Sequence, residues 1–298
     1  MTRPTVSVVI PTKNRRPLLI EALDSVLALS CDQFVLDVIV VDDGSVDDTT
    51  EHISEYALRR PVRLIASGGI GMAGARNVGI GAAHGEYVSL LDDDDLYLPT
   101  AIASQLDMLE EHPSYGAAFG RAQRSDMKGV PFGEPFPSQN LSSGWIFEDL
   151  LGYFPQIGTA LVRTDVARAV GGFDGTLTGD NDWDWFLRIA KRYQIGRVDV
   201  PVILFRQRAS ADESLSWRRY PAMAEIFRRH TETLPKVQQL RLRPVLWRHR
   251  GWWAWTFLDQ AATNRENGER ERARQCVRYA FRASWLHAAI GVVKRHLR

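Results

Sequence analysis

Carboxylates are concentrated in three short clusters of the sequence. The run DDDD occupies residues 92–95, DDGS occupies 42–45, and NDWDWF occupies 181–186. Adjacent carboxylates repel one another, so a clustered or buried run such as 92–95 needs a cation beside it. Hard oxygen ligands of this kind suit Mg²⁺ or Mn²⁺ together with a bound diphosphate. The first chemistry that the sequence indicates is therefore the binding of a metal ion and a phosphorylated ligand.

Each acidic cluster also has a purely structural interpretation. Residues 92–95 could form a solvated acidic turn, and the Asp and Ser residues of 42–48 are good helix N-cap residues. In 181–186 a carboxylate at a helix start could serve as a general base, or it could cap the helix while Trp anchors the core. Asp92 and Asp94 would point the same way if the chain stayed extended there. The clusters taken singly leave these alternatives open.

A fourth pattern, GGIGMAGARN at 68–77, contains the G-x-G-x-x-G spacing of dinucleotide-binding proteins. Acidic residues begin at Asp92, eighteen positions after Gly74, close to where a ribose-binding carboxylate would lie. A nicotinamide-dependent oxidoreductase, however, has its glycine turn after the central strand of the sheet, usually the first in sequence. Here the first turn is PTKNRR, without glycine, and that activity explains neither DDGS nor DDDD. We therefore expect the glycines to form a tight, close-packed start to a helix from about residue 75, which presents Arg76.

Strand and helix signals alternate through the first two-thirds of the chain. Apolar, often β-branched runs predict strands at 6–10, 34–41, 62–66 and 86–91. Helical periodicity and start signals predict helices from Pro17, at about 49–58, at 75–83, and from Pro99 to about Glu111. This order predicts an α/β fold, a Rossmann-like and mostly parallel sheet with helices on both faces. Right-handed crossovers should bring PTKNRR, DDGS and DDDD to one edge, where open α/β sheets bind ligands.

The remaining segments are predicted from composition and periodicity. Residues 125–144 are rich in Pro, Gly and Ser and predict a loop, 156–163 predict a strand, and 200–205 a last strand. A helix is expected from about Asp182, and 217–298 are expected to be helical throughout.

Composition excludes several classes of protein. The chain has 298 residues, of which 45% are hydrophobic and 24% charged, as in soluble globular proteins. Its two cysteines fit no zinc or redox spacing. No stretch approaches the roughly 20 apolar residues of a membrane span, and the N-terminal apolar run is too short for a signal peptide. We expect a cytoplasmic protein, with the option of peripheral contact at the inner membrane face.

Together the motifs resemble those of the family 2 glycosyltransferases, which have the GT-A fold. The matching segments are VSVVIPTKNR, VIVVDDGSVDDT, GMAGARNVGIGAAHGEYVSLLDDDDLYLP, VGGFD and GDNDWDWFLRIA, in the family's order. The resemblance implies an inverting transfer of a sugar from a nucleotide-diphosphate sugar, assisted by Mn²⁺ or Mg²⁺. UDP is expected only by analogy with the family, and the acceptor would be a glycan, a lipid-linked molecule or a small molecule. A non-catalytic sugar-nucleotide or glycan-binding relative is the alternative, which the presence of both Asp94 and Asp182 disfavours.

The resemblance also implies roles for individual residues. Asp182 matches the catalytic base, and Asp94 is expected to bind the metal directly. Asp92 is expected to bind the metal as well, or to contact the ribose. Asp93 is expected to contact the ribose or to lie directly behind the metal ligands, a position that Asp92 could also take. Asp42 and Asp43 match the residues that bind base and ribose. The nucleobase pocket would be lined by Pro11, Thr12, Lys13 and Asn14, and Arg76 would face the nucleotide.

Two positions depart from the family pattern. Asn181 replaces the Glu that usually precedes the base, so the acceptor contact of that Glu is changed. Many relatives have Tyr-Arg-x-His near the end of the domain, where this chain has FRQR at 205–208. An arginine cannot bind a metal ion, so we expect Arg206 and Arg208 to contact the diphosphate instead.

The sequence predicts three regions along the chain. Residues 1–205 form the GT-A catalytic domain, 206–216 could be a linker or a lid that orders on donor binding, and 217–298 form a helical C-terminal region. Residues 206–298 carry 20 Lys and Arg against 8 Asp and Glu, and six of the nine Trp. Such helices could pack as a subdomain, lie on an anionic membrane, or bind a polyanion or protein partner. No nucleic acid is expected, because no recognised nucleic-acid motif is present.

Overall fold

The computed structural model of the chain describes residues 3–29, 32–138, 141–207 and 213–296. In these ranges the strands are β1 (Thr5–Thr12), β2 (Val35–Asp42), β3 (Val62–Ala66), β4 (Tyr87–Leu90), β5 (Leu96–Tyr97), β6 (Tyr115–Ser125), β7 (Ala160–Arg163) and β8 (Gln194–Arg206). They form one sheet in the order β3-β2-β1-β4-β7-β6-β8-β5. Strands β1 to β4 are mutually parallel, as are β6 and β8, whereas β7 and β5 run antiparallel to their neighbours.

The helices alternate with these strands and then continue alone. They are α1 (Arg16–Leu27), α2 (Thr49–Ala57), α3 (Gly71–Ala82), α4 (Ala103–Glu111), α5 (Phe147–Leu151), α6 (Thr164–Ala169), α7 (Asn181–Ala190), α8 (Glu213–Thr231), α9 (Lys236–Glu266), α10 (Arg270–Ala283) and α11 (Trp285–His296). The prediction of a mostly parallel α/β sheet followed by a helical region is confirmed. No described helix combines the length and the apolar character needed to cross a bilayer.

The chain divides into two compact units. One comprises Met1–Leu177 with Asn181–Ala209 and contains the sheet; the other comprises Thr178–Asp180 with Ser210–Arg298 and contains α8 to α11. In the first unit, apolar side chains of β1 and α1 are fully buried in one core. In the second, Trp253 and Phe257 of α9 are buried, and the Tyr220 ring of α8 lies 6.0 Å from both rings.

Several elements differ from the sequence-based expectation. Strand β6 was not predicted, because its sequence YGAAFGRAQRS contains no Val, Ile or Thr. Glycine is required in it, since a Cβ on Gly120 would lie 2.5 Å from Cγ1 of Val202 in β8. The strand expected at 200–205 is the end of the 13-residue β8. The helix expected from Pro99 begins at Ala103, after a turn in which Ile102 has a positive φ of 62°.

The packing of α3 on the sheet gives a test of the fold. A Cβ on Gly79 would lie 2.1 Å from Cγ1 of Val9 in β1, whereas a Cβ on Gly81 would meet nothing within 4 Å. We expect Gly79→Ala to lower the free energy of unfolding by about 1–3 kcal/mol through overpacking. Gly81→Ala should leave it unchanged or raise it by up to about 1 kcal/mol through helix propensity.

Urea denaturation of both variants measures the difference. Equal stability of the two variants would show that α3 does not approach β1 as closely as described.

Candidate active site

The three loop clusters meet at the carboxyl edge of the parallel strands. The backbone N–H of Asn14 donates to Ser45 Oγ at 2.9 Å, and Asn14 Oδ1 accepts from the N–H of Val46 at 2.7 Å. Thr12 Oγ1 donates to Asp93 Oδ2 at 2.7 Å. These contacts join the loops after β1, β2 and β4, so the expectation that PTKNRR, DDGS and DDDD gather at one edge is confirmed.

Arg15 neutralises part of the acidic run. Its Nη1 donates to Asp93 Oδ1 at 2.9 Å and to Asp94 Oδ2 at 3.1 Å. Burial alone would lower the pKa of Arg15, but the charges of Asp93 and Asp94 outweigh it and raise the pKa. The sequence analysis does not predict this role of Arg15. Two signals could have indicated it, namely the need of DDDD for a cation and the arginines of the PTKNRR loop at the same sheet edge.

The acidic run forms a turn rather than an extended segment. The N–H of Asp95 donates to the carbonyl of Asp92 at 3.0 Å, and the two carboxylates expected to point the same way bind different arginines. The chain is not extended at 92–95, so the condition under which Asp92 and Asp94 would point the same way is not met. The turn directs Asp92 toward Arg76 and leaves Asp94 beside Arg15.

Two members of the run are buried. Burial is the main cause that raises the pKa of Asp93 and, further, that of Asp95. Asp95 Oδ1 accepts from the backbone N–H of Arg206 at 2.9 Å. Asp95 thus connects the acidic turn to the end of β8, whereas Asp92 and Asp94 stay about a quarter to a third exposed.

Arg76 connects the acidic run to the start of α7. Its Nη2 donates to Asp92 Oδ1 at 2.6 Å, and its Nη1 donates to Asn181 Oδ1 at 3.3 Å. The guanidinium also lies 5.4 Å from the Phe173 ring centroid. Burial would lower the pKa of Arg76, but the charges of Asp92 and Asp182 raise it, so the group stays cationic. The two sites that the sequence singled out separately are therefore neighbours.

Aromatic residues fix the start of α7. Trp183 is buried and its Nε1 donates to the carbonyl of Leu150 at 2.6 Å. Trp185 is also buried, and its ring stacks on Phe173 at 4.8 Å. Asp182 is half-buried, and its Oδ1 accepts from the N–H of Trp183 at 2.9 Å. The Trp residues therefore anchor the core while the carboxylate stays accessible.

Asp42 and Asp43 are buried, and their carboxylates accept hydrogen bonds from protein donors. Asp42 accepts from the N–H and the hydroxyl of Ser45 at 2.9 and 2.6 Å, and from the hydroxyl of Thr50. Asp43 accepts from Ser67 Oγ at 2.7 Å and from the N–H of Gly71 at 3.0 Å. The pair orders the turn after β2 and the start of α3; its contact with base and ribose stays a prediction.

The glycine motif does not form a dinucleotide cradle. Helix α3 begins at Gly71 rather than at about residue 75, and Gly69 and Gly71 have positive φ angles of 79° and 84°. The Asp43 carboxylate occupies the N-terminus of this helix, where a pyrophosphate would otherwise bind. The preceding strand β3 lies at the edge of the sheet, not at its centre. These features disfavour the oxidoreductase alternative.

The other predicted site residues occupy varied environments. Pro11 and Thr12 are buried at the end of β1, whereas Lys13 and Asn14 are exposed. Arg206 is buried, and its side chain forms an ion pair with Glu21 of α1. Its Nε and Nη1 have no hydrogen-bond partner among the described residues. Arg208 lies outside the described residues, as does much of the expected lid at 206–216.

The carboxylates fit a divalent cation that takes its other ligands from a substrate. No group of three or more His, Cys, Asp or Glu residues poised for a metal occurs in the described part of the chain. Mg²⁺ commonly takes only one or two protein carboxylates together with substrate phosphates. Asp94 is partly exposed, and its carboxylate oxygens could bind such a cation once Arg15 moves aside.

The sheet order, with its mostly parallel strands and the helices around them, is that of the GT-A fold. The glycosyl transferase family 2 model matches residues 7–170. The chain therefore belongs to glycosyl transferase family 2, as the motifs predict.

Relatives in sequence are longer than this chain. An uncharacterized glycosyltransferase of Rickettsia felis is 32% identical over 200 residues, which are 65% of this chain and 31% of that protein. Chondroitin synthase of Escherichia coli is 26% identical over 197 residues, which are 63% of this chain and 27% of that protein. The chain thus spans about a third of the length of the first curated relatives that it matches.

Solved structures confirm the fold. TarS 1-349 of S. aureus in complex with UDP-GlcNAc has a TM-score of 0.60 at 16% identity, covering 91% of this chain and 90% of that one. The mannosyltransferase PcManGT of Pyrobaculum calidifontis, in complex with GDP-Man and Mn²⁺, has a TM-score of 0.63 at 21% identity, covering 99% and 81%. At these identities the likeness is one of fold.

The position of Arg15 gives a test of the metal site. Because Arg15 competes with a cation for Asp94, we expect Arg15→Met to tighten Mn²⁺ binding in the absence of nucleotide by about tenfold, since one neighbouring charge is worth about 1 kcal/mol or more at this distance. Titration of Mn²⁺ followed by electron paramagnetic resonance measures the dissociation constant.

Arg16→Met is the matched control, because Arg16 pairs with Asp48 instead. Unchanged or weaker Mn²⁺ binding by Arg15→Met would show that Arg15 does not occupy the metal position.

Proposed function

We propose that the chain transfers a sugar from a nucleotide-diphosphate sugar to an acceptor hydroxyl, with inversion and with the help of a divalent metal ion. One observation carries this proposal: buried Arg76 bridges Asp92 at 2.6 Å and Asn181 at 3.3 Å. The acidic run suited to a metal-bound diphosphate therefore lies beside the helix start that carries Asp182.

The donor would lie along the edge formed by the loops after β1, β2 and β4. The clustered Thr12, Asn14 and Ser45 already hold these loops together by hydrogen bonds, so a nucleoside would meet a preformed surface there. Asp94 would hold the metal ion, Asp92 would contact the metal ion or the ribose, and Asp93 would lie behind them against Thr12. When bound, the metal ion would stabilise the negative charge that builds on the departing diphosphate.

Arginines supply further compensation for that charge. Arg76 stays cationic within the site, and two buried nitrogen donors of Arg206 have no hydrogen-bond partner in the part of the chain that the structure describes. Their fixed positions cost little reorganisation when charge develops on the leaving group. Contact of Arg206, and of Arg208, with the diphosphate is part of this proposal.

Asp182 is suited to be the general base. It is half-buried at the N-terminus of α7, held by a backbone hydrogen bond, and next to the charge of Arg76. A base must approach the acceptor hydroxyl on the face of the sugar opposite the leaving diphosphate. One carboxylate on that side and a held leaving group on the other suffice for a single displacement, which inverts the anomeric centre.

The nature of the donor and acceptor follows only from similarity. The solved neighbours were captured with UDP-GlcNAc and with GDP-Man, and UDP is our proposal for the nucleotide. A glycan, a lipid-linked molecule or a small molecule would be the acceptor. A cytoplasmic location stays a prediction.

The role of Asp182 is tested by Asp182→Asn. Because a positioned base typically contributes about 10²–10⁴ in rate, we expect donor turnover to fall by at least about a hundredfold, with the donor dissociation constant nearly unchanged. Release of UDP from UDP-sugars in the presence of Mn²⁺ measures turnover, and calorimetry measures binding.

Asp165→Asn is the matched control, since Asp165 is an exposed acid in the first turn of α6. Equal turnover by Asp182→Asn and the wild type would remove the base assignment. Donor binding without turnover in the wild type would favour a non-catalytic sugar-nucleotide-binding protein.

The stereochemistry of the reaction is a separate test. A single displacement from an α-linked donor should first release the β-anomer, before mutarotation mixes the two forms. Proton NMR during hydrolysis of UDP-GlcNAc by a concentrated sample resolves the anomeric signals. Initial formation of the α-anomer would contradict the proposed inversion.

A further inference from the structure

The helical unit contains a groove that the proposed reaction does not use. It runs between α8 and α9, with a volume of about 570 Å³. This volume lies in the range of sites for small ligands, about 300–1,000 Å³. Its α9 side is formed by residues at helical spacing, namely Lys236, Gln239, Leu240, Arg243, Leu246 and Arg250. The groove therefore combines apolar side chains with a row of cations along one helix face.

The basic residues that line the groove differ in whether they form ion pairs or hydrogen bonds. Arg228 of α8 is paired with Glu225 and Glu232, and Arg250 Nε donates to the carbonyl of Ala283 at 2.6 Å. Lys236 and Arg243, by contrast, have no ion-pair or hydrogen-bond partner among the described residues. These two cations, seven residues apart and so on one face of α9, are free to receive an anion.

An exposed apolar face lies beside the groove. Val237, Leu240 and Trp247 of α9 are 65%, 54% and 53% exposed, and their spacing places them on one side of the helix. Leu240 belongs both to this face and to the groove. The face continues onto α11, because the Trp247 ring lies 4.2 Å from the ring of His287.

Helix α11 also has exposed apolar side chains. Trp285 is 69% exposed, and Leu286 and Ile290 are each 41% exposed. Exposed Trp next to arginine is the composition of surfaces that lie at the boundary between headgroups and acyl chains. Residues 210–298, the main segment of the helical unit, contain 18 Lys and Arg against 8 Asp and Glu, and an anionic leaflet attracts such a charge.

We infer that the helical unit docks on an anionic membrane surface, with a phospholipid headgroup held by Lys236 and Arg243 and its first acyl segment in the groove. The chemistry of the groove favours this ligand. Lys236 and Arg243 would bind an anion, and the adjoining apolar side chains would contact a hydrocarbon chain. A lipid phosphate supplies both in one molecule. This inference does not depend on the proposed sugar transfer.

Vesicle binding by the full chain tests the inference. The wild type should sediment with phosphatidylcholine vesicles that contain 30% phosphatidylglycerol and not with pure phosphatidylcholine. The double variant Lys236→Gln/Arg243→Gln should bind the anionic vesicles about tenfold more weakly or worse, since each basic residue near the surface contributes several-fold. Arg59→Gln/Arg60→Gln, exposed residues of the other unit, removes the same charge and should change binding less than twofold.

The apolar part of the surface is tested by fluorescence. Phosphatidylglycerol with brominated acyl chains should quench tryptophan emission, and Trp247→Phe should remove a part of that quenching. Trp145→Phe, which removes an exposed Trp of the sheet-containing unit, should leave the quenching unchanged. Circular dichroism melting of each variant confirms that the fold is retained.

Three results would overturn the inference. The first is equal binding by the groove variant and its control, and the second is equal binding to neutral vesicles. The third is charge-dependent binding with no quenching by brominated chains, which would show that the cations contact the headgroups while no acyl chain enters the groove. Vesicle binding by a wild-type chain that transfers no sugar would instead contradict only the proposed function.

Discussion

The charge of four adjacent aspartates is the constraint on which the site depends. Carboxylates this close cannot all ionise near one another without cations, and the fold supplies two from different elements. Arg15, after β1, holds Asp93 and Asp94, and Arg76, in α3, holds Asp92. The acidic turn is therefore stable before any ligand binds.

These ion pairs explain why the surrounding elements take their positions. Arg76 must reach the sheet edge from α3, and α3 is fixed at its start by the Asp43 carboxylate and the two left-handed glycines. The same guanidinium reaches Asn181, whose helix is anchored by the buried Trp183. An arginine that was needed for charge balance thus also sets the distance between the acidic run and the candidate base.

Much of this arrangement could be predicted from the sequence. Apolar, often β-branched runs predict strands at the positions of β1 to β4. Because parallel strands have their carboxyl ends at one edge of a sheet, the three polar clusters are also predicted to lie together. Strand β6 could not be found in this way, because it contains no Val, Ile or Thr, and its Gly120 is required by close packing against Val202 of β8 rather than by strand propensity.

The hydrogen bonds of the site were less accessible to sequence reasoning. Asp43 caps the start of α3 at Gly71, although the two residues are 28 positions apart in the sequence. They come together only because β2 and β3 are neighbours in the sheet. The turn at 92–95 separates Asp92 from Asp94, which periodicity could not reveal. The role of Arg15 was missed because the need of DDDD for a cation was assigned wholly to a metal ion.

The acidic run, once Arg15 has moved aside, is the proposed binding site of a metal-bound diphosphate. Calorimetric titration of UDP into the full chain, with and without saturating Mn²⁺, tests it most directly. We expect coupled binding, in which Mn²⁺ tightens UDP binding by tenfold or more. UDP should tighten Mn²⁺ binding by the same factor, because coupling free energies are reciprocal. UDP binding that is independent of Mn²⁺, or absent in both conditions while GDP binding is also absent, would contradict it.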